Sequence, residues 1–190
     1  GQFLDGVQRN IRTRVAAELT TNWKLIFSKH YTRTNRAGEL YETEIFSRVA
    51  DGEGHHPRWL NELKITPNGE QVDFSPKNHN WWRHAKVPIL VLNATTLNTG
   101  HNWQFTASWM GEPPADTDST IDGNDRLRRL YYEDAPMQPV NHRRVRLGDA
   151  VAASACVPGL FEPLVLADLY PEQSPHMTVR LVDGGVHDNQ

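Results

Sequence analysis

One cysteine, Cys156, is present among 190 residues, so no internal disulfide can staple the chain. That usage fits a reducing compartment. The N-terminus also lacks the basic, apolar, small-residue order of a signal peptide, so the cytoplasm or a membrane periphery is the expected location. No apolar run approaches the roughly 18 residues that span a bilayer, although contact with a membrane surface stays open. A formal net charge of −3 lacks the strongly basic footprint of a nucleic-acid binder, and no nucleic-acid partner is expected. The basic clusters Arg126 to Arg129 and His142 to Arg146 read as solvated faces. His55-His56, His79 and His84 have neither the H-E-x-x-H spacing nor partner cysteines, so no metal and no cofactor are expected. Asp118-x-Thr120-x-Asp122-Gly123 opens like a calcium loop but places Arg129 where a bidentate Glu is needed. There is no G-x-S-x-G elbow, and none of Ser28, Ser47, Ser75, Ser108, Ser119, Ser154 and Ser174 has that context.

What is present reads as one domain or a large piece of one. The chain is polar, with mean hydropathy −0.62 and 38% hydrophobic residues, which indicates an ordinary core with polar insertions. A chain of this size buries roughly 70% of its unfolded surface. Val7, Ile11, Val15, Leu19 and Ile26 predict a helix over 5–29. Leu40 to Val49 fits a strand or a short helix. Pro67-Asn68-Gly69 is a turn. Pro88-Ile89-Leu90-Val91-Leu92 is a continuous apolar run, as in a strand buried on both faces of a parallel sheet. Trp103 to Ser108 alternates like a second strand, and residues 111–125 read as a surface loop. Asp149 is placed to cap a small-residue helix from Ala150 to Cys156. Leu164 to Leu169 and Thr178 to Val182 predict a strand pair. Strands alternating with helices then predict an α/β layered domain, its sheet mainly parallel and flanked by helices.

The stretch richest in chemistry is Val179 to Gln190. An apolar, β-rich run delivers Asp183 onto Gly184-Gly185. An acid at the end of a buried strand can sit within reach of a nucleophile, yet Asp-Gly is also an ordinary solvent-facing turn. Cys156 and Ser154, inside the small-residue segment, read as helix packing rather than nucleophiles. Asn93-Ala94-Thr95 is a formal glycosylation sequon at a strand end, read as chance.

Three segments together resemble one family. Ala153-Ser154-Ala155-Cys156-Val157-Pro158-Gly159-Leu160-Phe161-Glu162-Pro163 is similar to the A-S-x-A-x-P-x-x-F-x-P segment of patatin-like phospholipases. Asp183-Gly184-Gly185-Val186-x-x-Asn189 resembles the D-G-G/A motif that carries their catalytic aspartate. Val87 to Thr95, through Asn98-x-Gly100 to Phe105, is similar to the strand and loop between their two catalytic motifs. The resemblance implies a three-layer α/β/α fold and a lipid acyl hydrolase of phospholipase A or esterase type. It implies a Ser–Asp dyad with Asp183 as general base, and Gly184 and Gly185 as the active-site loop. The substrate is a lipid or another acyl ester.

The family's glycine-rich oxyanion loop and nucleophile elbow do not occur in the chain. The expectation is therefore that residues 1–190 are the C-terminal portion of a patatin-like domain, with 1–86 a variable helical insert and 87–190 the core strands. The sheet would then be incomplete at its N-terminus, the serine would lie ahead of Gly1, and this chain alone would be inactive. His187 is a second possible base in a Ser–His–Asp scheme. The competing reading is a non-catalytic lipid-binding or interaction module.

Overall fold

A computed structural model of the chain describes residues 23–49, 56–70, 73–114, 127–132, 145–170 and 177–187. Its centre is a six-stranded sheet built from β1 (Leu92–Thr96), β2 (Asn102–Phe105), β3 (Trp109–Gly111), β4 (Leu130–Tyr131), β5 (Leu164–Ala167) and β6 (Thr178–Asp183). The strands lie in the order β4-β3-β2-β1-β6-β5, and every neighbouring pair is antiparallel. The sheet curls into a half-barrel. The layered, mainly parallel three-layer sheet expected from the sequence is not the fold.

The connections explain the difference. Parallel neighbours need a crossover of a dozen or more residues, whereas antiparallel ones turn back directly. β1 returns into β2 through residues 97–101, with Gly100 at φ +80. β2 returns into β3 through residues 106–108. The apolar run also behaves differently from its reading. Residues 88–91 are exposed, and pairing starts only at Leu92. The buried part of β1 is its polar tail, Ala94-Thr95-Thr96, whose hydroxyls all find partners. The alternation in β2 is as expected, with Trp103 and Phe105 fully buried, although the strand stops at Phe105. β5 and β6 pair as predicted, Leu164 opposite Leu181 and Ala167 opposite Thr178.

The helices of the described residues are α1 (Trp23–Phe27), α2 (Arg33–Glu44), α3 (Pro76–His79) and α4 (Leu147–Ser154). Of the predicted 5–29 helix, only its end lies within the described residues. Of the two alternatives for Leu40 to Val49, strand or short helix, the helix is what forms, and α2 begins earlier, at Arg33. Thr32 caps it, accepting the Asn35 N–H at 3.3 Å, while the Asn35 amide oxygen accepts the Thr32 N–H at 3.1 Å. Its inward face carries Thr34, Glu42 and Glu44 beside Ala37 and Leu40, which hides the apolar period. The Asn35 amide also pairs with Val165, donating to its carbonyl at 2.9 Å and accepting its N–H at 3.1 Å. That pair covers part of the outer edge of β5, a surface that would otherwise invite association.

α4 starts before Asp149 rather than after it. The Asp149 carboxylate reaches back instead, to the Arg146 N–H at 3.4 Å and to its guanidinium at 2.8 Å from two nitrogens. Cys156 lies past the end of α4. α2 and α4 cross closely at two glycines. A Cβ on Gly148 would stand 2.3 Å from the Gly38 carbonyl oxygen, and one on Gly38 would stand 2.5 Å from Asp149 Oδ1. Beside the crossing, buried Glu42 accepts N–H bonds from Arg58 at 2.7 Å and Gly148 at 3.2 Å. Burial raises the Glu42 carboxyl, and the two N–H donors work against that rise. Trp103, Phe105, Met110, Leu164 and Leu181 join Ala150 and Ala153 of α4 in the main core.

The crossing leaves no room for one methyl group. Gly148→Ala is expected to lower stability by about 1–3 kcal/mol, an ordinary overpacking cost, read as a lower urea midpoint with the slope unchanged. A midpoint equal to that of the parent protein would show that the two helices do not meet at these residues.

Candidate functional site

β6 is seated between β1 and β5, and Asp183 is its last residue. The chain then tightens into a single turn of 3-10 helix, Gly184–Val186. Asp183 Oδ1 accepts the Gly185 N–H at 2.8 Å, which closes the turn and leaves Oδ2 for another donor. The two glycines have separate reasons to be there. A Cβ on Gly184 would meet the Asn93 carbonyl oxygen at 2.9 Å, so that position requires glycine. Gly185 supplies the N–H that orients the carboxylate.

Two further segments arrive at this turn. The Asp183 N–H donates to the Cys156 carbonyl at 2.8 Å. Ala94 stands opposite Asp183 in the β1–β6 register. The Thr95 hydroxyl donates to the Asp183 carbonyl at 3.0 Å and accepts the His187 N–H at 3.2 Å. Residues far apart in sequence, 93–95, 156 and 183–187, therefore meet at one end of β6. Asp183 is half-buried, and apolar side chains in the stretches that follow Cys156 and Asp183 face water: Val157 is 44% exposed, Leu160 73% and Val186 51%. His187 joins the site through its backbone. Among the described residues, no serine, cysteine or histidine side chain hydrogen-bonds to the Asp183 carboxylate.

Cys156 is buried, and its thiol donates to the Glu162 carbonyl at 3.1 Å with the Thr34 hydroxyl 3.5 Å away. Burial pushes the Cys156 thiol up, and the Asp183 and Glu162 carboxylates push it further. That is the reverse of an activated nucleophile. Ser154 ends α4. Thr95 of the sequon is buried with its hydroxyl engaged, which fits the chance reading. Among the described residues no three His, Cys, Asp or Glu converge as a metal would need, and His79 Nδ1 accepts the Ser75 N–H at 2.9 Å. Of the basic clusters read as solvated, Arg129 instead stacks on the Trp109 ring at 3.8 Å and Arg146 pairs with Asp149. The acidic loop 118–123 lies outside the described residues.

One buried polar cluster escaped the sequence reading. Glu112 is 1% exposed and accepts the Thr96 hydroxyl at 2.7 Å, the Leu127 N–H at 2.8 Å and the Thr99 hydroxyl. His101 Nδ1 lies 3.3 Å from Glu112 Oε2, the oxygen that accepts the Leu127 N–H, while the two hydroxyls share Oε1. Neighbouring side chains alternate across a strand, so Thr95 serves the Asp183 turn while Thr96 serves this cluster. A Glu-Pro-Pro sequence after β3 reads as loop, and nothing local marks Glu112 as buried.

The chain matches no family model, no curated protein and no solved structure.

Cys156 is expected to resist iodoacetamide at neutral pH in the folded chain. Its raised pKa means that the thiolate grows only as pH climbs past the ordinary thiol value of about 8.5. Intact-mass labelling across pH checks this, with the urea-unfolded chain as the reactive reference. Fast labelling of the folded chain near neutrality would overturn the inert assignment.

Proposed function

We propose that Asp183 is the general base of a serine-dependent hydrolase acting on a lipid or other acyl ester. The observation that carries the reading is the meeting of residues 93–95, Cys156 and 183–187 at the end of β6. Each of these lies within one of the three segments, 87–105, 153–163 and 183–189, that resemble patatin-like phospholipases in sequence. The reading rests on this site and not on the architecture, since chemistry belongs to sites rather than to folds.

The partner serine is assigned to sequence ahead of Gly1, in the order that the resemblance implies. Its hydroxyl oxygen attacks the ester carbonyl carbon, and its proton passes to Asp183 Oδ2. The alcohol leaves with that proton, and water then releases the acid from the serine by the same route. A carboxylate is a weak base in water and needs desolvation to serve. In this reading the exposed apolar side chains of Val157, Leu160 and Val186, in the segments that follow Cys156 and Asp183, take the acyl chain, whose cover would supply that setting. Gly185 N–H holds one carboxylate oxygen so that the other keeps its aim.

A second reading, a lipid-binding or interaction module without catalysis, is favoured by one observation: no described nucleophile reaches Asp183. Fluorophosphonate labelling with intact-mass readout separates the two. Labelling only the longest product of the native gene is the expected result, and labelling neither form supports the module. In the labelled form, Asp183→Asn keeps the acceptor for Gly185 N–H. It is expected to lower ester hydrolysis by roughly 10²–10⁴-fold with the melting temperature retained. Unchanged hydrolysis would remove Asp183 from the mechanism.

A further inference from the structure

We propose that residues 77–91 form a basic arm, carrying two exposed tryptophans, that docks on an anionic lipid surface. The arm is a stapled loop. The Asn80 amide donates to the Val87 carbonyl at 2.8 Å and accepts the Val87 N–H at 2.9 Å, so the loop is closed at its base. Trp81 and Trp82 directly follow the Asn80 side of the staple, 76% and 54% exposed, with rings 5.0 Å apart edge to face, and the Trp82 ring also meets the His79 ring edge-on at 5.2 Å. Ile89, Leu90 and Val91 follow, 53%, 51% and 41% exposed. Five of the twelve exposed large hydrophobic residues among the described residues thus fall within eleven consecutive positions. Such a concentration marks an interaction surface, where scattered exposure would not.

Charge identifies the occupant. From Pro76 to Val91 there are Lys77, Arg83 and Lys86 and no acid, in a chain whose net charge is −3. Arg83 pairs with Glu70. Lys77 and Lys86 are exposed, and Lys86 Nζ donates to the Asn80 and Trp81 carbonyls at 2.6 and 3.1 Å. Those two bonds fix an ammonium beside the tryptophan pair. Tryptophan prefers the headgroup layer, where its ring is apolar and its N–H is wet. Cations near an anionic leaflet add attraction that salt screens. Exposed indole rings beside a held ammonium, with a second exposed lysine and no acid in the segment, match the headgroup layer of an anionic bilayer. Val91 leads directly into β1, which carries Ala94 opposite Asp183. The arm therefore enters the sheet at the end where β6 delivers Asp183, although the docking proposal rests on the arm alone.

The test is flotation of the whole chain with ether-linked phosphatidylcholine vesicles, with and without ether-linked phosphatidylglycerol. Ether lipids offer no ester, so the outcome is independent of the dyad. Binding to the anionic vesicles is expected, weakened by salt. Trp81→Ala should weaken it by roughly tenfold. Lys77→Glu with Lys86→Gln should remove the preference for phosphatidylglycerol, and circular dichroism should show both variants folded. Three results would overturn the proposal. One is no flotation with either vesicle. Another is flotation unchanged in both variants. The third is self-association lost in Trp81→Ala, which would make a second copy the occupant.

Discussion

The seat of β6 between β1 and β5 is the constraint on which the rest depends. Leu181 faces Thr96 on one side and Leu164 on the other, so its position in the sheet is specified twice. A slip of one residue would send Val179 and Leu181, both fully buried, to the opposite face. The same register sets Asp183 opposite Ala94 and presents its N–H to the Cys156 carbonyl. The Asp183 turn is thus held by the core and does not hang from a free loop.

A second foundation lies beneath the sheet, where α2 meets α4. Gly38 and Gly148 let two backbones approach to a distance that any side chain would prevent. Glu42, buried at the crossing, accepts one N–H from Gly148 in α4 and one from Arg58, and so ties residues far apart in sequence. Truncating it would leave two buried donors without partners, which costs more than the bonds themselves contribute. The start of α2 closes over the outer edge of β5 through Asn35, so the helix pair and the sheet support each other.

The turns and the alternating strands were the legible parts of the fold. Pro67-Asn68-Gly69, the β2 alternation and the β5–β6 pair could be read because their causes are local: Gly69 sits at φ +85, and side chains alternate across a strand. Strand direction was not legible. An apolar run such as Pro88 to Leu92 looks the same whether it is buried in a sheet or turned to solvent. The extent of helix α2 was hidden because its buried face carries Thr34, Glu42 and Glu44, polar groups whose burial is tolerable only with partners supplied by Glu162, Arg58, Gly148 and Arg48. Glu112 was missed for the same reason.

By itself the sequence determined that an acid is delivered onto two glycines at a strand end, that one cysteine excludes an internal disulfide, and that no apolar run is long enough to span a bilayer. These follow from residue identity and local spacing alone. Tertiary structure decided that the sheet is antiparallel, that residues 88–91 lie on the surface, and that Asn93, Cys156 and Asp183 share one corner. The physical reason is that pairing direction and burial depend on partners tens of residues away, whose contributions no local pattern carries.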